Sequence, residues 1–118
     1  MNLLFNTLLN SKQLNLDNEN IDLKQVCEKL YEETKETKIA INKFISEDSE
    51  ENLRQITLET YDIIQVCILI LYKIHKEATS RKLKNFITRC NAEHIQKLNR
   101  RGWQPKHDIL IKILDRRF

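Results

Sequence analysis

Four carboxylates fall at helical spacing in two places. Glu33 and Glu36 stand three apart in KLYEETKETKIAI, and Glu59 and Asp62 stand three apart in ITLETYDIIQV. On an α-helix with 3.6 residues per turn, such a pair projects toward one side. Glu33 and Glu59 each fill a step where an apolar stripe should continue. Four acids converging in a half-buried seam would repel and raise one another's pKa values. Either lysines or a hard divalent cation must neutralise them. Carboxylate oxygens are the ligands Mg²⁺ prefers, and its shell keeps room for water and phosphate oxygens. The chemistry suggested is that of phosphate esters. The plain alternative is a solvated helix face decorated with Glu–Lys pairs.

Two helices must position these acids. The first spans about Ile21 to Ile45, with Val26, Leu30, Thr37, Ala40 and Phe44 as its stripe and Glu33 in the vacant step. SEDSEEN supplies a short connection with N-cap residues and early acids. The second spans about Glu50 to Lys76, with Ile56, Ile63, Val66 and Ile70 inward and Glu59 in the vacant step. A short loop predicts antiparallel packing, which lets the two acidic pairs face each other. Past Asp62 the second helix is apolar nearly all round, the mark of a central element. A third helix, about Arg81 to Arg100, has Ser80 as its cap, Gly102 as its C′ residue, and Leu83, Phe86, Ile87, Cys90, His94 and Leu98 inward. Pro105 suits the first turn of a short last helix, KHDILIKIL. Residues 1–20 fit one amphipathic turn or two around Leu3, Leu4, Leu8 and Leu9, before NLDNEN breaks the pattern and caps the first long helix.

Composition narrows the class. The 118 residues suit one domain, 1–118, and 41% apolar content supports a core. One Gly and one Pro leave little turn chemistry for hairpins. The expected fold is an all-α antiparallel bundle of about four helices. A net charge of +3 with mixed signs does not call for a nucleic-acid polymer. Cys27, Cys67 and Cys90 form no CxxC pair and read as small buried residues in a reducing cytoplasm. MNLLFNTLLN lacks a signal peptide's basic start. The apolar run Ile63 to Ile74 is shorter than the ~20 residues that span a bilayer, so no membrane is expected.

EETKE followed by ETYD resembles the EExxE and ExxD motifs of the MazG-like, all-α nucleoside triphosphate pyrophosphohydrolases. The resemblance covers about Leu23 to Trp103, and the helix order agrees. It implies Mg²⁺-dependent cleavage of a nucleoside triphosphate to monophosphate and pyrophosphate, with Mn²⁺ as a substitute metal. By position, Glu33, Glu36, Glu59 and Asp62 would be ligands. Glu32 would orient or deprotonate water, or be an exposed helix glutamate. Lys97, Arg100 and Arg101 match a basic cluster that contacts phosphates, although cations at a helix C-terminus also complement its dipole. The resemblance also implies a homodimer or homotetramer with the site near the subunit interface. Thr34, Lys35, Thr60 and the bulky Tyr61 depart from the small or aliphatic residues common inside these motifs. Asn99 reads as surface, Trp103 as packing under the last helix, and His94 as core. Two other classes remain open: a nucleotide- or protein-binding regulatory bundle with little turnover, and a helical interaction module without nucleotide.

Overall fold

The computed structural model describes residues 2–113, in two compact units divided between Lys84 and Asn85. The first is built on a helical hairpin. Helix α1 runs Leu23–Ser46 and α2 runs Glu50–Ser80. Asp22 starts α1 through a capping box: its carboxylate accepts the Gln25 N–H at 2.7 Å, and the Gln25 side chain accepts the Asp22 N–H at 3.0 Å. Ser49 caps α2, accepting the Asn52 N–H at 3.1 Å. The buried Asn52 side chain donates back to the Glu47 carbonyl at 2.9 Å, tying the end of α1 to the start of α2. This three-residue connection makes the helices antiparallel neighbours that pack along their length.

The core follows the expected stripes, with Leu69, outside the expected stripe of α2, added to its centre. Val26, Val66 and Leu69 form its centre, with Ile21, Leu30, Ile70 and Tyr72 against them. Thr37 and Ala40 are buried further along α1, and Glu33 lies half-buried between Leu30 and Thr37. On α2 every residue of the expected stripe, Glu59 included, is buried or half-buried. Beyond Asp62, however, α2 is not enclosed. Cys67 and Leu71 are exposed, because one helix partner covers only one face. Among the described residues α2, at 31 residues, is the one helix long and apolar enough to cross a membrane by length and composition. Glu59 and Asp62 lie on it, and ionised carboxylates are costly in hydrocarbon.

Three regions differ from the sequence reading. Before α1 the described residues form a small antiparallel hairpin rather than an amphipathic helix, β1 Asn10–Ser11 with β2 Leu16–Asp17. Asn15 sits at φ 52° in its turn, a conformation that Asn tolerates. The third helix, α3, is shorter than expected and spans Phe86–Arg100. Ser80 ends α2 rather than capping α3, and Lys82 and Asn85, at φ 58° and 54°, break the chain between them. Leu83, Cys90 and His94 are exposed rather than inward, and Phe86, Ile87 and Leu98 are half-buried.

The end of α3 is as expected. Gly102 adopts φ 78° and donates to Asn99 O, while Trp103 donates to Leu98 O, the paired bonds of a Schellman motif. No helix follows it among the described residues. Residues 106–113 are irregular, and Ile109, Leu110, Ile111 and Ile113 are all exposed. A segment this short cannot offset helix nucleation without a surface to pack on. The described residues thus hold three helices rather than about four.

Candidate metal centre

The inner faces of α1 and α2 bring three of the expected ligands together. One carboxylate oxygen each from Glu33, Glu59 and Asp62 lies within 4.8 Å of the other two. Ligands about 2.1 Å from an octahedral Mg²⁺ stand about 3 Å apart when adjacent and about 4 Å when opposed. The observed spread is therefore near what such an ion requires, and small rotamer changes would close it. One oxygen on each of Glu33 and Glu59, Oε2 in both, is buried and has no hydrogen-bond partner. Buried polar atoms are normally satisfied, and these two acceptors are not. The donor set is all oxygen, which suits a hard cation. On these grounds the residues present fit Mg²⁺.

The electrostatics agree. Burial pushes the Glu33 carboxyl up from 4.5 to about 7, with Asp62, Glu36 and Glu59 adding repulsion in that order. Burial, with Glu59 beside it, also raises Asp62. Acids stacked in this way favour protons over charge until a cation is supplied. The surface ion pairs on α2 do not involve them: Arg54 pairs with Glu51 and Arg81 with Glu77.

Glu36 is exposed, one turn beyond Glu33, and its charge adds to the repulsion that raises Glu33. It belongs to the cluster's rim rather than to the group of three. Glu32 is exposed, and its position next to Glu33 turns it about 100° around the helix. Lys97, Arg100 and Arg101 belong to the second unit. Lys97 and Arg100 border an open depression with Cys90, Glu93, His94 and Gln96, and Arg101 is the C-cap of α3.

Several sequence assignments change. His94 is exposed rather than core, and Trp103 is 67% exposed rather than packed under a helix. All three cysteines are helical as expected, but exposed and unpaired by disulfides. One contributor was missed. Gln55 donates from Nε2 to Glu59 Oε1 at 2.7 Å, which leaves Oε2 as the buried, unpartnered oxygen. The signal was present as a Gln four residues before a Glu on one helix face. Bulky Tyr61 points away from the helix pair. Phe5 meets its ring edge-on at 5.5 Å, and the Gln65 side chain exchanges hydrogen bonds with the Asn6 backbone.

Comparison with protein-family models, with curated proteins and with solved structures finds no match for this chain.

Proposed function

We propose that the chain is a Mg²⁺-dependent nucleoside triphosphate pyrophosphohydrolase of MazG-like type, acting in cytoplasmic nucleotide-pool housekeeping. The single observation that carries the reading is the pair of buried, unpartnered carboxylate oxygens of Glu33 and Glu59 beside Asp62. An acidic seam of this kind destabilises the apo hairpin, and a bound cation gives it a purpose. The EETKE and ETYD motifs supply the reaction class by resemblance.

In this reading Glu33, Glu59 and Asp62 hold the ion, with Glu36 at the rim. Mg²⁺, when bound, would neutralise phosphate charge and lower the pKa of water. The chain's own residues do the rest. Gln55 keeps Glu59 in one rotamer. The raised pKa of Glu33 means that below about pH 7 it carries a proton, which weakens the site as a ligand set. Water attacks the α-phosphorus, the bond to the α–β bridging oxygen breaks, and pyrophosphate leaves. Glu32 is a candidate to accept the water's proton. Lys97, Arg100 and Arg101 are proposed to stabilise the leaving charge.

The test is pyrophosphate release from a panel of ribo-, deoxy- and modified nucleoside triphosphates, with and without Mg²⁺. Magnesium-dependent release with a matching monophosphate is expected. A folded protein that releases none, while still binding Mg²⁺ through Glu33, would overturn the enzyme and leave a nucleotide- or protein-binding bundle.

A further inference from the structure

Past Lys84 the character of the chain changes. The residues before Asn85 carry twelve Lys and Arg against fourteen Asp and Glu; from Asn85 onward there are eight against three. The first unit is slightly acidic and the second strongly basic. An asymmetry of this kind points to an anionic partner for the basic part.

The second unit also leaves its apolar side chains in water. Every buried apolar residue among those described lies before Asn85, and no residue of α3 is buried. At about 100° per residue, Ile87, Cys90, Ile95 and Leu98 share about 140° of arc, with Asn91 and His94 among them. Arg89, Lys97 and Arg100 share about 80° on another side, with Glu93 as the one acid of the helix. Arg89 lies over the Phe86 ring, 6.0 Å from its centre. Past the Schellman turn, Trp103 is 67% exposed. Ile109, Leu110, Ile111 and Ile113 are 75% to 89% exposed, with Lys106 and Lys112 beside them.

We propose that the second unit docks on an anionic lipid surface, with α3 and the segment after it lying in the headgroup plane. A side of Ile and Leu next to a side of Arg and Lys is the make-up of an interfacial helix. The aliphatic side enters the acyl boundary and the cations meet lipid phosphates and carboxylates. Trp belongs at the same depth, where its ring is apolar and its N–H reaches a headgroup. Residues 106–113 have helical spacing but no surface against them, and a bilayer supplies one, so the segment turns helical there. A nucleic acid would use the cations but leave four aliphatic side chains in water, so the apolar segment selects lipid. Such docking needs no segment that spans the bilayer. This inference does not rest on the proposed reaction. Lys97, Arg100 and Arg101 are shared with it, so the decisive substitutions are at apolar positions.

Trp103 is the single Trp of the chain and reports on its own surroundings. The full chain is mixed, in chelator and without nucleotide, with vesicles of phosphatidylcholine containing one-quarter phosphatidylserine. Trp103 emission should move to shorter wavelength, the protein should sediment with the vesicles, and helical content should rise. Binding should weaken at least tenfold on pure phosphatidylcholine, and likewise in 1 M salt, where charges are screened beyond about 3 Å. The Ile109→Asp, Ile111→Asp protein should bind at least tenfold more weakly; both sites are exposed, so its helical content in solution should match the wild type. Leu4→Asp, at a site 86% exposed in the first unit, should bind as the wild type does. Absence of binding to the anionic vesicles would overturn the proposal, and so would equal binding to neutral ones. An equal loss in Leu4→Asp and in the double variant would overturn it too. A Trp103 shift on single-stranded DNA with none on vesicles would make the basic unit a nucleic-acid surface instead. Because nucleotide is absent throughout, these outcomes are independent of whether pyrophosphate is released.

Discussion

Replacing Glu33 by Gln removes the charge from the centre of the acidic seam while keeping its shape. In the folded protein Glu33 titrates at about 7, against an ordinary 4.5. Between those values the folded state holds a proton that the unfolded chain has released. The stability from this group is therefore full below about pH 4.5 and is lost as pH rises through about 7. At 1.36 kcal/mol per unit the shift sets a ceiling of about 3 kcal/mol. Glu33 is partly open to solvent, and screening reduces the expected effect to about 1–2 kcal/mol. Urea unfolding at fixed protein concentration, followed by circular dichroism in chelator, measures it. Glu33→Gln should gain on the wild type by that amount between pH 5 and pH 8. Asp62 shifts the same way, so a residual slope should remain in the variant. With Mg²⁺ the order should reverse. At a hundred times its dissociation constant the ion would stabilise the wild type by about 2.7 kcal/mol and the variant much less. A wild type and variant that stay parallel across pH, or a variant equally stabilised by Mg²⁺, would refute the reading of this seam as a cation site.

Other expectations rest on single contacts. Gln55→Ala should weaken Mg²⁺ binding about tenfold with the helical content unchanged, since it frees Glu59 to rotate; titration calorimetry measures this. Asp62→Asn should reduce pyrophosphate release at least ~100-fold with the fold retained, as removal of a direct ligand would; wild-type turnover would remove Asp62 from the site. Asp22→Ala should destabilise by about 1 kcal/mol through loss of the capping box, read from the urea midpoint. Gly102→Ala should destabilise by about 1 kcal/mol although nothing lies within 4 Å of the added methyl, because φ 78° disfavours any side chain.

What was legible in the sequence is the part that local periodicity dictates. The stripes from Val26 to Phe44 and from Ile56 to Ile70 announce two helices and their inner faces, and an acid in each stripe announces where charge enters the seam. The short SEDSEEN link, with Ser49 as cap, then forces an antiparallel pair, so that Glu33 must meet Glu59 and Asp62. Gly102 ends α3 because only a left-handed residue satisfies the last carbonyls there. Tertiary structure decided what depends on a packing partner. KHDILIKIL has helical spacing, yet with no surface against it the described part stays irregular. Cys27 and Cys67 read as interior by type and are exposed, because a hairpin covers one face of each helix; Cys90, His94 and Trp103, in the second unit, are exposed as well. Residues 2–20 hold a small hairpin, and the stretch before it is tied to α2 by Phe5 on Tyr61 and Asn6 with Gln65, contacts between positions more than fifty residues apart. Periodicity along a chain reports which face of a helix is apolar; it does not report what, if anything, comes to lie against it.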